Sequence, residues 1–194
     1  EAGVLVSGTN GIVISAASTD VVVLRGLDIE GLGTGLDGIK VLGSLGALHV
    51  EKCTVNDFRG SNGSGIEVAT TSGTTLVFIK DTIVRDNGQG TGGGIFINPA
   101  GATVKASLDN VRLDNNVFGL KVLGSSTTQV NNSSAAGNAN AGFSNAATPA
   151  TLSLSHSVTT GNGTGVVCSG TVTNLNDTIN FGNTTPTSGV VGCT

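Results

Sequence analysis

The chain has 194 residues, a formal net charge of −4, 31 glycines, six phenylalanines and no Trp, Tyr or Met. Its nine Lys and Arg form no basic run, which argues against nucleic acid as a partner, because phosphate binding needs clustered cations. No apolar stretch approaches the roughly 18–20 residues of a membrane helix, and so few aromatics point away from an ordinary globular core.

In chain order, the dominant signal is a glycine followed by apolar residues. It recurs as Gly11-Ile12-Val13-Ile14, Gly38-Ile39-Lys40-Val41, Gly65-Ile66-Glu67-Val68, Gly94-Ile95-Phe96-Ile97 and Gly119-Leu120-Lys121-Val122, then at Gly142, Gly165 and Gly189. The glycines lie 27, 27, 29, 25, 23, 23 and 24 residues apart. A period of that size marks a repeat architecture, with each repeat as one coil of a solenoid. Small and β-branched residues suit such a core, since each layer must stack on the next at strand spacing, about 4.8 Å.

A second apolar alternation follows each glycine-led strand, as in Leu48 to Val55, Val77 to Ile83, Leu108 to Leu113, Leu152 to His156 and Leu175 to Ile179. Alternation of this kind predicts strands with one buried face, and no useful length shows helical spacing. A polar pair then closes most coils: Asp86-Asn87, Asn115-Asn116, Gly137-Asn138, Gly161-Asn162 and Gly182-Asn183. Asparagine tolerates left-handed backbone and bonds to the main chain at turns, so stacked copies are expected to form an amide ladder. Leu32 and Phe58 stand where the amide would fall in the earlier coils.

The pattern apolar-x-x-Asn, a short glycine-containing loop, then Gly-apolar-x-apolar resembles the repeat of right-handed parallel β-helix proteins of the pectate-lyase-like superfamily. Leu113 to Val122 and Val158 to Val166 are its best copies, and the resemblance covers residues 11 to 192. It implies an all-β, single-stranded right-handed parallel β-helix, here of about seven coils with three short strands each, in one domain over residues 1–194. It also implies a secreted or cell-surface, carbohydrate-associated protein. Family members carry an N-terminal cap, whereas this chain opens in repeat-like sequence with no visible signal peptide. The expectation is therefore a trimmed product or a piece of a longer protein, with an end open to end-to-end association.

Chemistry is harder to place. Lyases of this fold use calcium-binding acids with an Arg or Lys base, and hydrolases use clustered aspartates, but the chain has neither Asp-Asp nor Asp-x-Asp. Aligning the coils assigns most charges to outward rows: Arg25, Glu51, Lys80 and Asp109, continued by Asn131, Ser155 and Asn176, and a second row of Glu30, Asn56, Arg85 and Asp114. Opposite charges on neighbouring strands stabilise and fix register. The row Lys40, Glu67, Phe96, Lys121 is different, since it mixes an aromatic with both signs over four coils. It is the candidate glycan-contact set, with Phe96 either a stacking platform or packed under the loop Gln89 to Gly93. His49 and His156 have no metal-ligand spacing, the glycine-rich stretches precede strands instead of helices, and no cofactor or metal is expected.

Matching Gly189-Val190-Val191-Gly192 to Gly165-Val166-Val167-Cys168 puts Cys193 within reach of Cys168, predicting a disulfide with Cys53 left as a buried thiol. The leading expectation is a non-enzymatic extracellular solenoid with a structural, adhesion or glycan-binding role. A polysaccharide lyase or glycosidase, and a phage-tail or fibre segment that assembles end to end or as a trimer, stay open as alternatives.

Overall fold

The computed structural model describes residues 2–173, 177–188 and Cys193. They form a parallel β-helix of about seven coils with three strands per coil, and no α-helix occurs among them. Sheet A has eight strands, from Ala2–Leu5 to Ile179–Phe181; sheet B has eight, from Ile12–Ala16 to Thr185–Ser188; sheet C has seven, from Val21–Arg25 to Thr171–Thr173. Each coil visits A, B and C in turn, and every strand pairs in parallel with its counterpart one coil away.

Inward positions stack like on like. In sheet B, Ile39, Ile66, Ile95, Leu120, Phe143 and Val166 form one buried row, with Val41, Val68, Ile97 and Val122 beside it. The alternations at Leu48, Val77 and Leu108 each fold as two strands, one in sheet C and one in sheet A. Leu152 to Ser155 lies in a sheet C strand followed by Val158–Thr160 in sheet A, and Leu175 lies outside the described residues. The break falls at a residue with positive φ: Lys52, Asp81, Asn110, Asn132 or His156. Beyond it, Cys53 lies buried in line with Thr82, whose hydroxyl takes the Cys53 N–H at 3.4 Å.

The corner between sheets A and B carries the expected ladder. Asp86, Asn115, Gly137, Gly161 and Gly182 are left-handed; the asparagines that follow the first four turn their amides into the core, and Asn183 after Gly182 is half-buried. Asn116 Oδ1 accepts the Asn87 N–H at 3.0 Å, Asn138 Oδ1 that of Asn116 at 2.9 Å, and Asn162 Oδ1 that of Asn138 at 2.8 Å. Each Nδ2 also donates to a carbonyl of the preceding coil, as Asn116 does to Val84 at 3.0 Å. Phe58 occupies the next rung, its N–H donated to Asn87 Oδ1 at 3.0 Å, while Leu32 sits at the surface with φ 52°.

The repeat glycines are explained by close approach. A Cβ on Gly119 would lie 2.5 Å from the Gly142 carbonyl oxygen and 3.1 Å from Asn138 Nδ2; one on Gly94 would lie 2.7 Å from the Gly119 oxygen. Those neighbours are backbone and a buried amide, so they have little freedom to give way.

Both charge rows lie in the expected register: Arg25 beside Glu51, Glu51 beside Lys80, Lys80 beside Asp109, and Asp109 beside Asn131. The second row runs Glu30, Asn56, Arg85, Asp114. Arg25 and Glu51 pair at 2.8 Å and Lys80 with Asp109 at 3.8 Å. Asn176 lies outside the described residues.

The disulfide Cys168–Cys193 is present with a Cα–Cα distance of 5.7 Å, and Cys53 is a buried free thiol. The register used to anticipate it is corrected. The last sheet B strand is Thr185–Ser188, which sets Thr187 beside Val166 and Pro186 opposite Gly165, while 189–192 lie outside the described residues. Cys193 approaches from the sheet C side, bridged to Val172. The ladder amide is the better ruler here: Gly165 follows Asn162 by three residues, as Pro186 follows Asn183, whereas Gly189 comes too late.

Gly119→Ala is expected to lower the unfolding free energy by about 2 kcal/mol, in the range for overpacking a filled site. Gly3→Ala, with nothing within 4 Å of its added Cβ, is the near-neutral control in the same denaturant titration. Equal stability of the two variants would contradict the close-approach account.

Candidate functional site

The row Lys40, Glu67, Phe96, Lys121 is in register across four consecutive coils of sheet B, on strands Asp37–Gly43, Ser64–Thr70, Ile95–Ile97 and Phe118–Val122. Val13 precedes it, and Ser144 and Val167 follow. The outward faces of these strands meet the corner loops that lead into them, and a cleft of about 310 Å³ opens between. Its wall includes Lys40, Glu67 and Phe96 from the row, with Asn62, Thr91 and Asn98 from the corners.

Lys40 is the electrostatic centre. Its Nζ donates at 2.7 Å to Glu67 Oε2 and at 2.7 Å to Asp37 Oδ2. Asp37 is buried; its other carboxylate oxygen accepts the Ser64 N–H at 2.9 Å, and its own N–H is donated to Asn10 Oδ1 at 3.1 Å. Burial pushes the Asp37 carboxyl above the usual aspartate range, partly offset by the Lys40 hydrogen bond and reinforced by the Glu67 charge. Burial works against the Lys40 ammonium as well, but the hydrogen bonds to Asp37 and Glu67 outweigh it and hold the lysine above its ordinary value. Lys40 is thus a fixed cation between two carboxylates, and a poor proton acceptor.

Lys121 is a different kind of amine. Its Nζ sits 4.9 Å from the centroid of Phe96 and 4.6 Å from that of Phe118, and donates to the Thr91 carbonyl at 3.3 Å. Burial lowers its pKa. The ammonium over the ring and the adjoining loop leave Phe96 only 8% exposed. Thr91 is held in turn by Asn62, whose Oδ1 accepts both the Thr91 N–H and its hydroxyl at 3.2 Å. The Phe96 ring therefore forms part of the cleft floor, largely covered.

Sequence reasoning missed Asp37 and the corner amides. A carboxylate directly before a repeat glycine was the available signal for Asp37: that position is taken by Asn10 and Ser64 in the flanking coils, and it feeds hydrogen bonds along the stack. The corner amides had no signal, because no alternation runs through a corner to show which side chains turn toward the sheet.

A second cluster joins Ser155, His156 and Asp177. Ser155 Oγ lies 2.8 Å from His156 Nδ1 and 3.1 Å from Asp177 Oδ2, and that same Nδ1 is 3.5 Å from the carboxylate. A nucleophile relay needs serine and aspartate on opposite imidazole nitrogens, so this exposed arrangement is not a triad. No family model, curated protein or solved structure matches the chain.

Replacing Lys40 by Met leaves two carboxylates facing each other, with Asp37 buried. The expected loss is about 2 kcal/mol, below that of a fully buried pair because Lys40 keeps 27% of its side chain in solvent. The sign with pH follows from the raised lysine pKa. Its stabilisation is complete below about pH 10.4 and is lost as pH rises through the higher native value. Asp37, also raised, contributes most below the ordinary aspartate pKa and loses that contribution as pH rises through its native one. Wild-type melting temperature should therefore fall more steeply above about pH 10.4 than that of Lys40→Met; parallel alkaline profiles would contradict the assignment.

Proposed function

We propose that this protein is an extracellular or cell-surface β-solenoid that binds a glycan in the sheet B cleft. The observation carrying this reading is the convergence there of an outward row of both charge signs with the side chains of Asn62, Thr91 and Asn98. Amides, hydroxyls and a fixed charge pair supply donors and acceptors in the mixture that sugar hydroxyls require, and 310 Å³ lies at the small end of ligand clefts, about 300–1,000 Å³. The disulfide supports an oxidising compartment. Resemblance of the repeat to pectate-lyase-like proteins agrees with a carbohydrate ligand.

An enzyme of the same fold is the second reading, favoured by one observation: a buried carboxyl with raised pKa beside a second carboxylate on the next coil. Against it, Lys40 bridges both acids and is held charged, which suits recognition better than proton transfer.

Binding to a polysaccharide and oligosaccharide panel, followed by calorimetry, tests the proposal. Asn98→Ala is expected to weaken binding about tenfold, the loss of one or two hydrogen bonds, with unchanged melting temperature. Absence of binding to any glycan, or affinity indifferent to Asn98→Ala and Glu67→Gln, would overturn it. Release of reducing or unsaturated sugars during the assay would replace binding by catalysis.

A further inference from the structure

Sheet C carries an exposed apolar strip. Val21 is 62% and Val23 51% exposed in the first coil, and Leu76 and Phe78 are 38% and 39% exposed two coils on. Between them His49 stacks on Phe78, ring centroids 4.8 Å apart. Register places these side chains in two outward rows, Val21, Ala47, Leu76, Lys105 and Val23, His49, Phe78, Ser107. The charge row Arg25, Glu51, Lys80, Asp109 lies alongside them as the third.

That third row reads plus, minus, plus, minus, and reversed it reads minus, plus, minus, plus. A two-fold axis parallel to the strands, passing between the second and third coils, lays each row on its own reverse. Arg25 then faces Asp109 of the second copy, and Glu51 faces Lys80. The same operation sets His49 opposite Phe78. It also carries Val21 and Val23 to the level of Lys105 and Ser107, where a hollow of about 310 Å³ opens between Leu76, Phe78, Lys105 and Gln129. Charge, aromatic and shape complementarity thus all come from one operator, the condition an isologous interface must meet.

We infer that this face of sheet C is an interface between two copies of this chain, packed antiparallel. The four coils span about 14 Å between outer strands, and three outward positions about 13 Å along them. With side-chain margins that is about 400 Å² per partner, half of a standard interface. The dimer is accordingly weak, forming at high protein concentration and dissociating at high salt as the charge row is screened. Sheet B and its cleft are left free, so the inference is independent of the glycan proposal.

Sedimentation equilibrium tests it with two charge reversals, Glu51→Lys and Lys80→Glu. Wild type should move toward twice the monomer mass as concentration rises in low salt, and return to monomer in about 1 M salt, where the screening length is about 3 Å. Each variant alone should stay monomeric, since like charges then oppose across the axis. An equimolar mixture should recover the wild-type mass profile, because the lysine introduced by Glu51→Lys in one copy meets the glutamate introduced by Lys80→Glu in the other. Circular dichroism melts establish that both variants are folded, and Arg112→Glu, an exposed charge change on sheet A outside the proposed interface, should self-associate as wild type does. A monomer at every concentration, or self-association that neither reversal changes, or reversals whose mixture does not recover it, would overturn the inference.

Discussion

Two coils can stack at strand spacing only if the corner joining them leaves no buried backbone group unpaired and admits no side chain in the gap. The asparagine ladder meets the first condition, since each amide takes an N–H from one neighbouring coil and gives its own hydrogens to oxygens in coils on both sides, one of them a backbone carbonyl. The repeat glycine meets the second, because the carbonyl of the next coil lies where its Cβ would be. Stacking of the isoleucine and valine rows from Ile95 onward depends on both. The coils of Ile39 and Ile66 keep the glycine and carry Leu32 and Phe58 at the amide position, with the Phe58 N–H donated to Asn87. Buried amides are costly unless satisfied, and a ladder in which each rung satisfies the next ties the stability of one coil to that of its neighbours.

Much of this was legible in the sequence for a physical reason: in a parallel solenoid, contacts follow repeat alignment, so one offset converts sequence position into spatial neighbour. Arg25 with Glu51 and Lys40 with Glu67 could be read in that way. Failure came where the periodic marker and the structural marker part company. In the last coil glycine recurs at 189, but the strand is set by Asn183 and begins at Thr185. The disulfide was anticipated all the same, because Cys193 comes near Cys168 by a different route.

The cleft was legible only in part. Its floor comes from strand positions, which alternation marks as outward, and its wall from corner loops, in which no alternation tells which side chains turn toward the sheet. Asn62 and Thr91, which bond across neighbouring coils, are 29 residues apart, the same offset as Gly65 and Gly94, so their pairing follows the repeat. The alignment does not show that they and Asn98 stand over the outward row. Nor does alternation report how far a ring is covered: Phe96 is outward by register and nearly buried by the Lys121 ammonium and its loop, whereas Phe78, outward in sheet C, remains open. Exposure on a solenoid is decided by what the next corner lays over the sheet.

The ladder is the claim on which the rest stands, and amide hydrogen exchange read residue by residue tests it most directly. In the native protein the Asn116 N–H should be as protected as strand amides such as that of Leu120. In Asn138→Ala that protection should drop by about tenfold or more at Asn116, whose acceptor is removed, while Leu48, on the opposite sheet and several coils away, keeps its own. Unchanged protection at Asn116 in the variant would show that the side-chain ladder does not hold the coils together.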